Sequence, residues 1–162
     1  MTFRNALQTD LPVIVDIYNS TVASRMVTAD TEPVVVESRQ QWFDDHSPDK
    51  HPLWMVEDGG QIIGWVSFQA FYGRPAYDGT AEVSIYIDPL QRGKGYGKKI
   101  LQYCLDNAGK LDINILLGFI FAHNTPSLQL FTALGFEEWG HLKNIAVLDG
   151  IERSLKILGK RV

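Results

Sequence analysis

Apolar residues recur along the chain with two spacings: every three or four residues in some segments, which is typical of helices, and every second residue in others, which is typical of strands. Short alternating or continuous apolar runs predict seven strands, and runs with apolar residues three or four positions apart predict four helices. The predicted strands cover 3–6, 53–57, 61–71, 81–88, 113–122, 136–142 and 151–158, and the predicted helices cover 10–22, 34–45, 95–108 and 125–134. This order predicts a single α/β domain over residues 1–162, with a central mixed β-sheet of about seven strands flanked by about four helices.

The predicted strand 81–88 has the clearest alternation in the chain. Its odd-numbered residues from 81 to 87 are apolar and point one way, whereas Glu82, Ser84 and Tyr86 point the other way. The segment 81–122 is a strand, a helix and a strand, so we expect a right-handed parallel crossover. Glu82 then lies on the polar face of a strand that leads directly into a glycine-rich turn.

Composition and charge narrow the possible functions. The 162 residues are 45% hydrophobic and 21% charged, which indicates a folded globular chain rather than a disordered one. The net charge of −4 argues against broad nucleic-acid binding, and the longest apolar run, 115–122, is too short to span a membrane. The chain has one cysteine, Cys104, and four histidines without metal-ligand spacing, and we expect a reducing cytoplasm, no secretory leader and no metal.

A glycine-rich turn separates the predicted strand 81–88 from the predicted helix 95–108. Its sequence from residue 91 is QRGKGYG, followed by Lys98 and Lys99. Glycines let the backbone turn sharply, and the free N–H groups at a helix start bind anions, so this turn predicts a phosphate or pyrophosphate site. Neither the P-loop nor the dinucleotide-binding pattern is present. The alternative is a solvated basic helix start without a ligand.

The turn resembles the Q/R-x-x-G-x-G/A signature of the GNAT superfamily of N-acetyltransferases. The matching residues are Arg92, Gly93, Lys94, Gly95, Tyr96 and Gly97. The segments 17–19, 30–33, 74–77 and 82–86 resemble the phosphinothricin and L-amino-acid N-acetyltransferase group. The resemblance implies a GNAT fold, acetyl-CoA as co-substrate and a homodimer. It also implies that the signature binds pyrophosphate, and that pantetheine meets the strand residues Ser84, Ile85, Tyr86 and Ile87 together with Asn124 and Ser127.

Acetyl transfer to an amine needs a proton acceptor, because amines with a pKa near that of lysine, about 10, are protonated at pH 7. Glu82 matches the glutamate that the phosphinothricin group uses as general base, and partial desolvation would raise its pKa. The alternative is a surface glutamate paired with a cation. Phe131 stands where many members of the superfamily have a tyrosine or histidine that acts as the general acid. The proton for the CoA thiolate must then come from Tyr86 or His123, or the thiolate leaves without assistance.

The acceptor site is predicted in two loops. Arg74 is suited to a two-point contact with a carboxylate, and Phe71 and Tyr77 beside it can enclose an acceptor side chain. Thr28 lies in the loop between the first two helices, which borders the acceptor cleft in the superfamily. These residues predict an amino acid or glutamate-like analogue as acceptor. Two alternatives stay open: another amine, such as a polyamine, an aminoglycoside or a protein N-terminus, or a CoA-binding sensor without catalysis.

Overall fold

A seven-stranded mixed sheet forms the centre of the protein, in a computed structural model that describes residues 1–162. The strands are β1 (Thr2–Asn5), β2 (Leu53–Asp58), β3 (Gln61–Ala70), β4 (Thr80–Ile87), β5 (Ile115–Phe121), β6 (Glu137–Leu148) and β7 (Ile151–Arg161). They lie side by side in the order β1-β2-β3-β4-β5-β7-β6, and only β4 and β5 are parallel. The predicted mixed α/β fold is confirmed, and so is the parallel pairing across the crossover.

Four helices cover the two faces of this sheet. They are α1 (Leu11–Val22), α2 (Gln40–Asp44), α3 (Tyr96–Ala108) and α4 (Thr125–Ala133). The larger core cluster lies under α3 and α4, with Ile100, Leu101 and Phe131 packed against the apolar face of β4. The smaller cluster joins Ile14 and Ile17 of α1 to strand residues of the other face. No helix is long and apolar enough to cross a membrane.

The second predicted helix is the one that differs most from the structure. The α-helix covers only Gln40–Asp44, and a 3-10 turn over Val36–Arg39 precedes it. The consecutive valines of 34–36 are stiff at χ1 and favour extended backbone, which explains why the predicted helix does not begin at residue 34. The 3-10 turn places Arg39 beside α1, where its guanidinium lies 4.7 Å from the centre of the Tyr18 ring.

The last two strands are longer than predicted. They form a hairpin around Asp149 and Gly150, whose φ values of 51° and 76° allow a tight turn. The prediction for β6 stopped at Leu142, before the polar residues Lys143 and Asn144. In the structure the pairing shifts register between Leu142 and Ala146 and then resumes, so residues 143–145 form an irregularity within one strand.

Candidate active site

The glycine-rich turn has the backbone geometry that the sequence predicted. Gly93 and Gly95 have φ values of 75° and 80°, which other residues rarely adopt, and Gly95 is the N-cap of α3. The first amides of α3 are therefore available to an anion at the positive end of the helix dipole. Arg92 crosses the turn, donating hydrogen bonds to the carbonyl of Ile87 at 3.0 Å and to the hydroxyl of Ser20 at 2.7 Å.

A cleft opens beside this turn because β4 and β5 diverge. They pair only over Thr80–Glu82 and Ile115–Leu117, and the remaining residues of both strands have no ladder partner between them. The resulting cavity has a volume of about 510 Å³. The structure brings together there the predicted cofactor residues Ser84, Ile85, Tyr86, Ile87, Arg92, Gly93, Asn124 and Ser127. Lys94, Gly95, Tyr96 and Gly97 continue from the cleft into the start of α3.

His123 and Asn124, which directly precede α4, hold the opposite wall of the cleft in place. Asn124 caps α4 by accepting from the amide of Ser127 at 3.2 Å, and its amide nitrogen donates to the carbonyl of Met26 at 3.0 Å. His123 contacts the carbonyl of Arg25 at 2.7 Å through Nε2. Both side chains therefore tie the loop after α1 to the start of α4, and Asn124 caps this helix while it lines the cleft.

A second cavity lies on the polar face of β3 and β4. Three cross-strand pairs form its floor: Trp65 with Tyr86, Ser67 with Ser84, and Gln69 with Glu82. Its other walls come from α1, the 3-10 turn and α2, namely Ile14, Val15, Tyr18, Arg39 and Trp42. The volume is about 200 Å³, enough for a small molecule, and the lining combines aromatic and aliphatic side chains with polar ones. Below we call this cavity the side pocket.

The side pocket and the cleft meet at two residues of β4. Ser84 and Tyr86 line both cavities. Glu82 lies two residues before Ser84, on the same face of the strand, and lines the side pocket only. A molecule in each cavity would therefore meet its neighbour beside the hydroxyl groups of Ser84 and Tyr86. Glu82 is a carboxylate next to this junction.

The carboxyl group of Glu82 is half-buried and has no ion-pair partner, since no lysine or arginine lies within salt-bridge distance of it. Burial raises the pKa of Glu82 above its ordinary value, and a long hydrogen bond of 3.4 Å from the Ser84 hydroxyl offsets this only in part. This excludes the alternative of a surface glutamate neutralised by a cation. A carboxylate with a raised pKa is better suited to accept a proton.

Tyr86 lies between two aromatic rings at the junction. Its ring stacks on Trp65 with centroids 4.4 Å apart and contacts Tyr18 at 5.2 Å. Burial, with smaller contributions from Tyr18 and Glu82, raises the pKa of Tyr86 well above its ordinary value, so the phenol keeps its proton at neutral pH. Phe131, at the position predicted to lack an acid, is buried against Gly118 and offers only carbon to the cleft.

The predicted acceptor loop lies apart from Glu82. Phe71, Arg74 and Tyr77 line a separate hollow, which has no residue in common with the cleft or with the side pocket. Thr28 is buried, and its hydroxyl contacts that of Tyr18, a wall of the side pocket. The structure therefore places Thr28 behind the side pocket and leaves Arg74 exposed on the loop beyond the Glu82 end of β4.

Sequence reasoning missed most of the side pocket. Five residues that line it were not predicted as site residues: Arg39, Trp42, Trp65, Ser67 and Gln69. One signal was present: Ser67 and Gln69 are polar residues, spaced two apart, in the otherwise apolar segment 62–70. Their relation to Glu82 depends on the register between β3 and β4, which the pattern of either strand alone does not determine.

A mixed sheet with a diverging parallel pair and a basic glycine turn before the next helix defines the GNAT fold class. The model of the acetyltransferase (GNAT) family matches residues 14–136. The chain therefore belongs to this family, and it is an N-acetyltransferase enzyme.

Individual relatives agree with this assignment. The chain is 55% identical to the "Putative phosphinothricin acetyltransferase YwnH" of Bacillus subtilis, over 100% of this chain and 99% of the relative. It is 31% identical to the L-methionine sulfoximine/L-methionine sulfone acetyltransferase of Pseudomonas aeruginosa, over 89% of this chain and 84% of the relative. The solved structure of a phosphinothricin acetyltransferase from Sinorhizobium meliloti in complex with AcCoA has a TM-score of 0.91 at 28% identity, over 99% of this chain and 88% of that one.

Proposed function

We propose that this protein transfers the acetyl group of acetyl-CoA to the α-amino group of a small amino acid of the methionine sulfone, methionine sulfoximine or phosphinothricin type. The observation that carries the proposal is the junction of the cleft and the side pocket at Ser84 and Tyr86, with Glu82 beside it. The names of the relatives support acceptors of this type.

Acetyl-CoA occupies the cleft in this proposal. Its pyrophosphate binds the amides between Gly93 and Gly97 at the start of α3, where Arg92 and Lys94 add positive charge. Its pantetheine arm runs between the diverging strands, where the backbone of β4 beyond Glu82 has no partner on β5. Asn124 and Ser127 line the other side of the arm. The thioester then lies at the junction, within reach of the side pocket.

The reaction is a direct attack in a ternary complex. Glu82 removes a proton from the ammonium form of the acceptor, directly or through one water, and the amine nitrogen then attacks the thioester carbonyl carbon. A new C–N bond forms, negative charge collects on the carbonyl oxygen, and the C–S bond breaks when the intermediate collapses. The second proton of the nitrogen is lost as the intermediate collapses and replaces the one that Tyr86 gives to the departing sulfur, so the products are the N-acetylated amino acid and CoA. Cys104 takes no part, because it is buried in the core, which raises the pKa of its thiol.

The proton for the departing thiolate comes from Tyr86. The phenol lines both cavities, and its raised pKa keeps it protonated at the pH of the reaction. Phe131 cannot supply this proton from α4. A phenol with a high pKa is a weak acid, but a thiolate with a pKa of about 8.5 leaves readily and needs little assistance.

The α-carboxylate of the acceptor is assigned to Arg74, with Phe71 and Tyr77 enclosing it. Gln69 of β3 lies opposite Glu82 of β4 in the sheet, and β3 ends at the next residue, Ala70. The loop that carries Arg74 therefore begins close to Glu82 along the sheet. Because Arg74 is exposed and donates no hydrogen bond to the protein, its guanidinium is free to turn toward an acceptor that enters at this end of the side pocket. The movement would join the separate hollow to the site.

The test is a turnover screen that measures CoA thiol release together with the N-acetylated product. The panel holds amino acids, their sulfone, sulfoximine and phosphinic analogues, a polyamine, an aminoglycoside and a peptide with a free N-terminus. We expect the highest kcat/KM for the sulfone, sulfoximine or phosphinic amino acids. Preference for the polyamine or the peptide would reject an amino acid as the acceptor. Acetyl-CoA binding without turnover of any amine would indicate a CoA-binding sensor without catalysis.

We also propose a homodimer that works in the cytoplasm. The outer strand β6 is a sheet edge, and together with β7 it exposes the apolar side chains of Ile145, Val147 and Ile151, which are 59%, 60% and 52% exposed. Apolar side chains along a free edge favour burial against a second copy. A lone cysteine and a CoA thioester substrate fit a reducing compartment.

A further inference from the structure

The side pocket contains two polar groups that the proposed reaction does not use. The first is Arg39, whose Nη2 donates to a carboxylate oxygen of Asp30 at 2.7 Å. A guanidinium has five N–H donors, and the remaining donors of Arg39 have no protein acceptor. Arg39 therefore presents unused donors in the lining of a pocket whose other walls are largely aromatic and aliphatic.

The second group is Ser67, at the centre of the pocket floor. The residue is fully buried, and its hydroxyl has no hydrogen-bond partner. An unsatisfied buried hydroxyl costs about 1–3 kcal/mol, so such a group is uncommon unless a ligand or water supplies the partner. Its neighbour across the ladder, Ser84, instead donates to Glu82.

Around these two groups the walls are suited to a short hydrocarbon chain. Trp42 and Trp65 contact each other edge to face at 5.5 Å, and the indole N–H of Trp65 is held by the carbonyl of Ile14 at 3.0 Å. The aromatic rings are therefore fixed, and their own donors are satisfied. A ligand side chain that fills the pocket therefore meets carbon at these rings and at Ile14 and Val15, and polar groups along the floor.

We propose that Arg39 and the Ser67 hydroxyl bind oxygen atoms at the tip of the acceptor side chain, and thereby select sulfone, sulfoximine or phosphinate groups over a plain thioether. This inference rests on the proposed function. Arg39 donates charge-assisted hydrogen bonds to one oxygen, and Ser67 donates to another. The sulfur of methionine is only a weak acceptor, so methionine leaves both donors unpaired in the pocket.

The experiment compares kcat/KM for methionine sulfone and for methionine in the wild type and in Arg39→Met. The selectivity ratio should fall about 10-fold or more, the size expected for a lost charge-assisted hydrogen bond, mainly through a higher KM for the sulfone. Ser67→Ala should lower the same ratio by a smaller factor of about 3 to 10. Arg39→Lys should restore part of the loss, because lysine keeps the charge without the planar donor pair.

Arg161→Met is the matched control, since Arg161 is an exposed arginine at the end of β7 that lines neither the cleft nor the side pocket. The selectivity ratio of this variant should stay within about twofold of the wild type. Thermal melting and the Kd for acetyl-CoA show whether each variant folds.

Two results would overturn the inference while the proposed function stands: unchanged selectivity in folded Arg39→Met and Ser67→Ala, or an equal loss in Arg161→Met. A wild type that acetylates neither amino acid would reject the proposed function and this inference together.

Discussion

Glu82 is a carboxylate whose charge is not balanced by any neighbouring cation. Burial raises its pKa, so it is protonated at a higher pH than an ordinary glutamate, whose pKa is about 4.3. Only the deprotonated form accepts a proton, so activity should fall as the pH drops through this raised value. The acid limb of the pH profile of kcat/KM should therefore lie above pH 4.3.

Glu82→Gln should lower kcat about 100-fold or more, the usual contribution of a general base, and leave the Kd for acetyl-CoA unchanged. The acid limb assigned to Glu82 should disappear from the pH profile. Glu138→Gln is the control, since Glu138 is a strand glutamate on the surface that pairs with Lys156. Steady-state kinetics between pH 4 and 9 give the answer, and equal turnover by Glu82→Gln would remove Glu82 from the base role.

Tyr86→Phe keeps the ring that stacks on Trp65 and removes only the hydroxyl at the junction. We expect kcat to fall on the order of 10-fold, less than is usual for a general acid, because the CoA thiolate is a good leaving group. Acetyl-CoA affinity, measured by calorimetry, should change little. Full turnover would show that the thiolate leaves without help from the protein.

The turn before α3 works through its backbone conformation. Gly95 has a φ of 80°, and nothing lies within 4 Å of the position that a Cβ atom would take. Gly95→Ala therefore introduces backbone strain without a steric clash, which costs about 1 kcal/mol in this region. We predict a Kd for acetyl-CoA raised about fivefold or more, since the amides that bind the pyrophosphate shift, while kcat at saturation changes less.

Gly109→Ala, at the other end of α3, is the matched control. Gly109 also has open space around its Cβ position, but its φ of −62° is an ordinary helical value. This variant should bind acetyl-CoA like the wild type and melt at the same or a higher temperature. If both variants bind alike, the left-handed conformation of Gly95 has no part in cofactor binding.

The hairpin of β6 and β7 carries the apolar surface assigned to the homodimer. The double change Ile145→Lys and Val147→Lys places two charges on this surface and should convert the dimer to a monomer, without loss of the fold. Leu7→Lys, at another exposed apolar position that is 61% exposed, is the control. Sedimentation velocity tests this, and a wild type that sediments as a monomer would contradict the dimer.

Features that depend on neighbouring residues in the chain were predicted well. The glycine turn and the face of β4 that carries Glu82 follow from local spacing, and the structure has both. The fold class was predicted because the order of strands and helices leaves few ways to build one sheet.

Features that depend on distant pairing were not predicted. Ser67 meets Ser84 only through the register of β3 and β4, and Arg39 enters the side pocket only because valines delay α2 and place a 3-10 turn beside α1. Arg74 was predicted beside the acceptor, but its loop lies apart from Glu82 in the structure. Its role in binding the carboxylate therefore stays a proposal.

We propose that the cleft and the side pocket hold the two substrates at once and join beside Glu82. A bisubstrate compound tests this directly: CoA with its sulfur linked through a –CH₂–CO– bridge to the α-nitrogen of methionine sulfone. Calorimetry should give a Kd for this compound at least about 100-fold lower than that for CoA alone, because the second group binds without a second loss of translational freedom. A Kd equal to that of CoA would contradict the account, since the amino acid portion would then have no site next to the thiol.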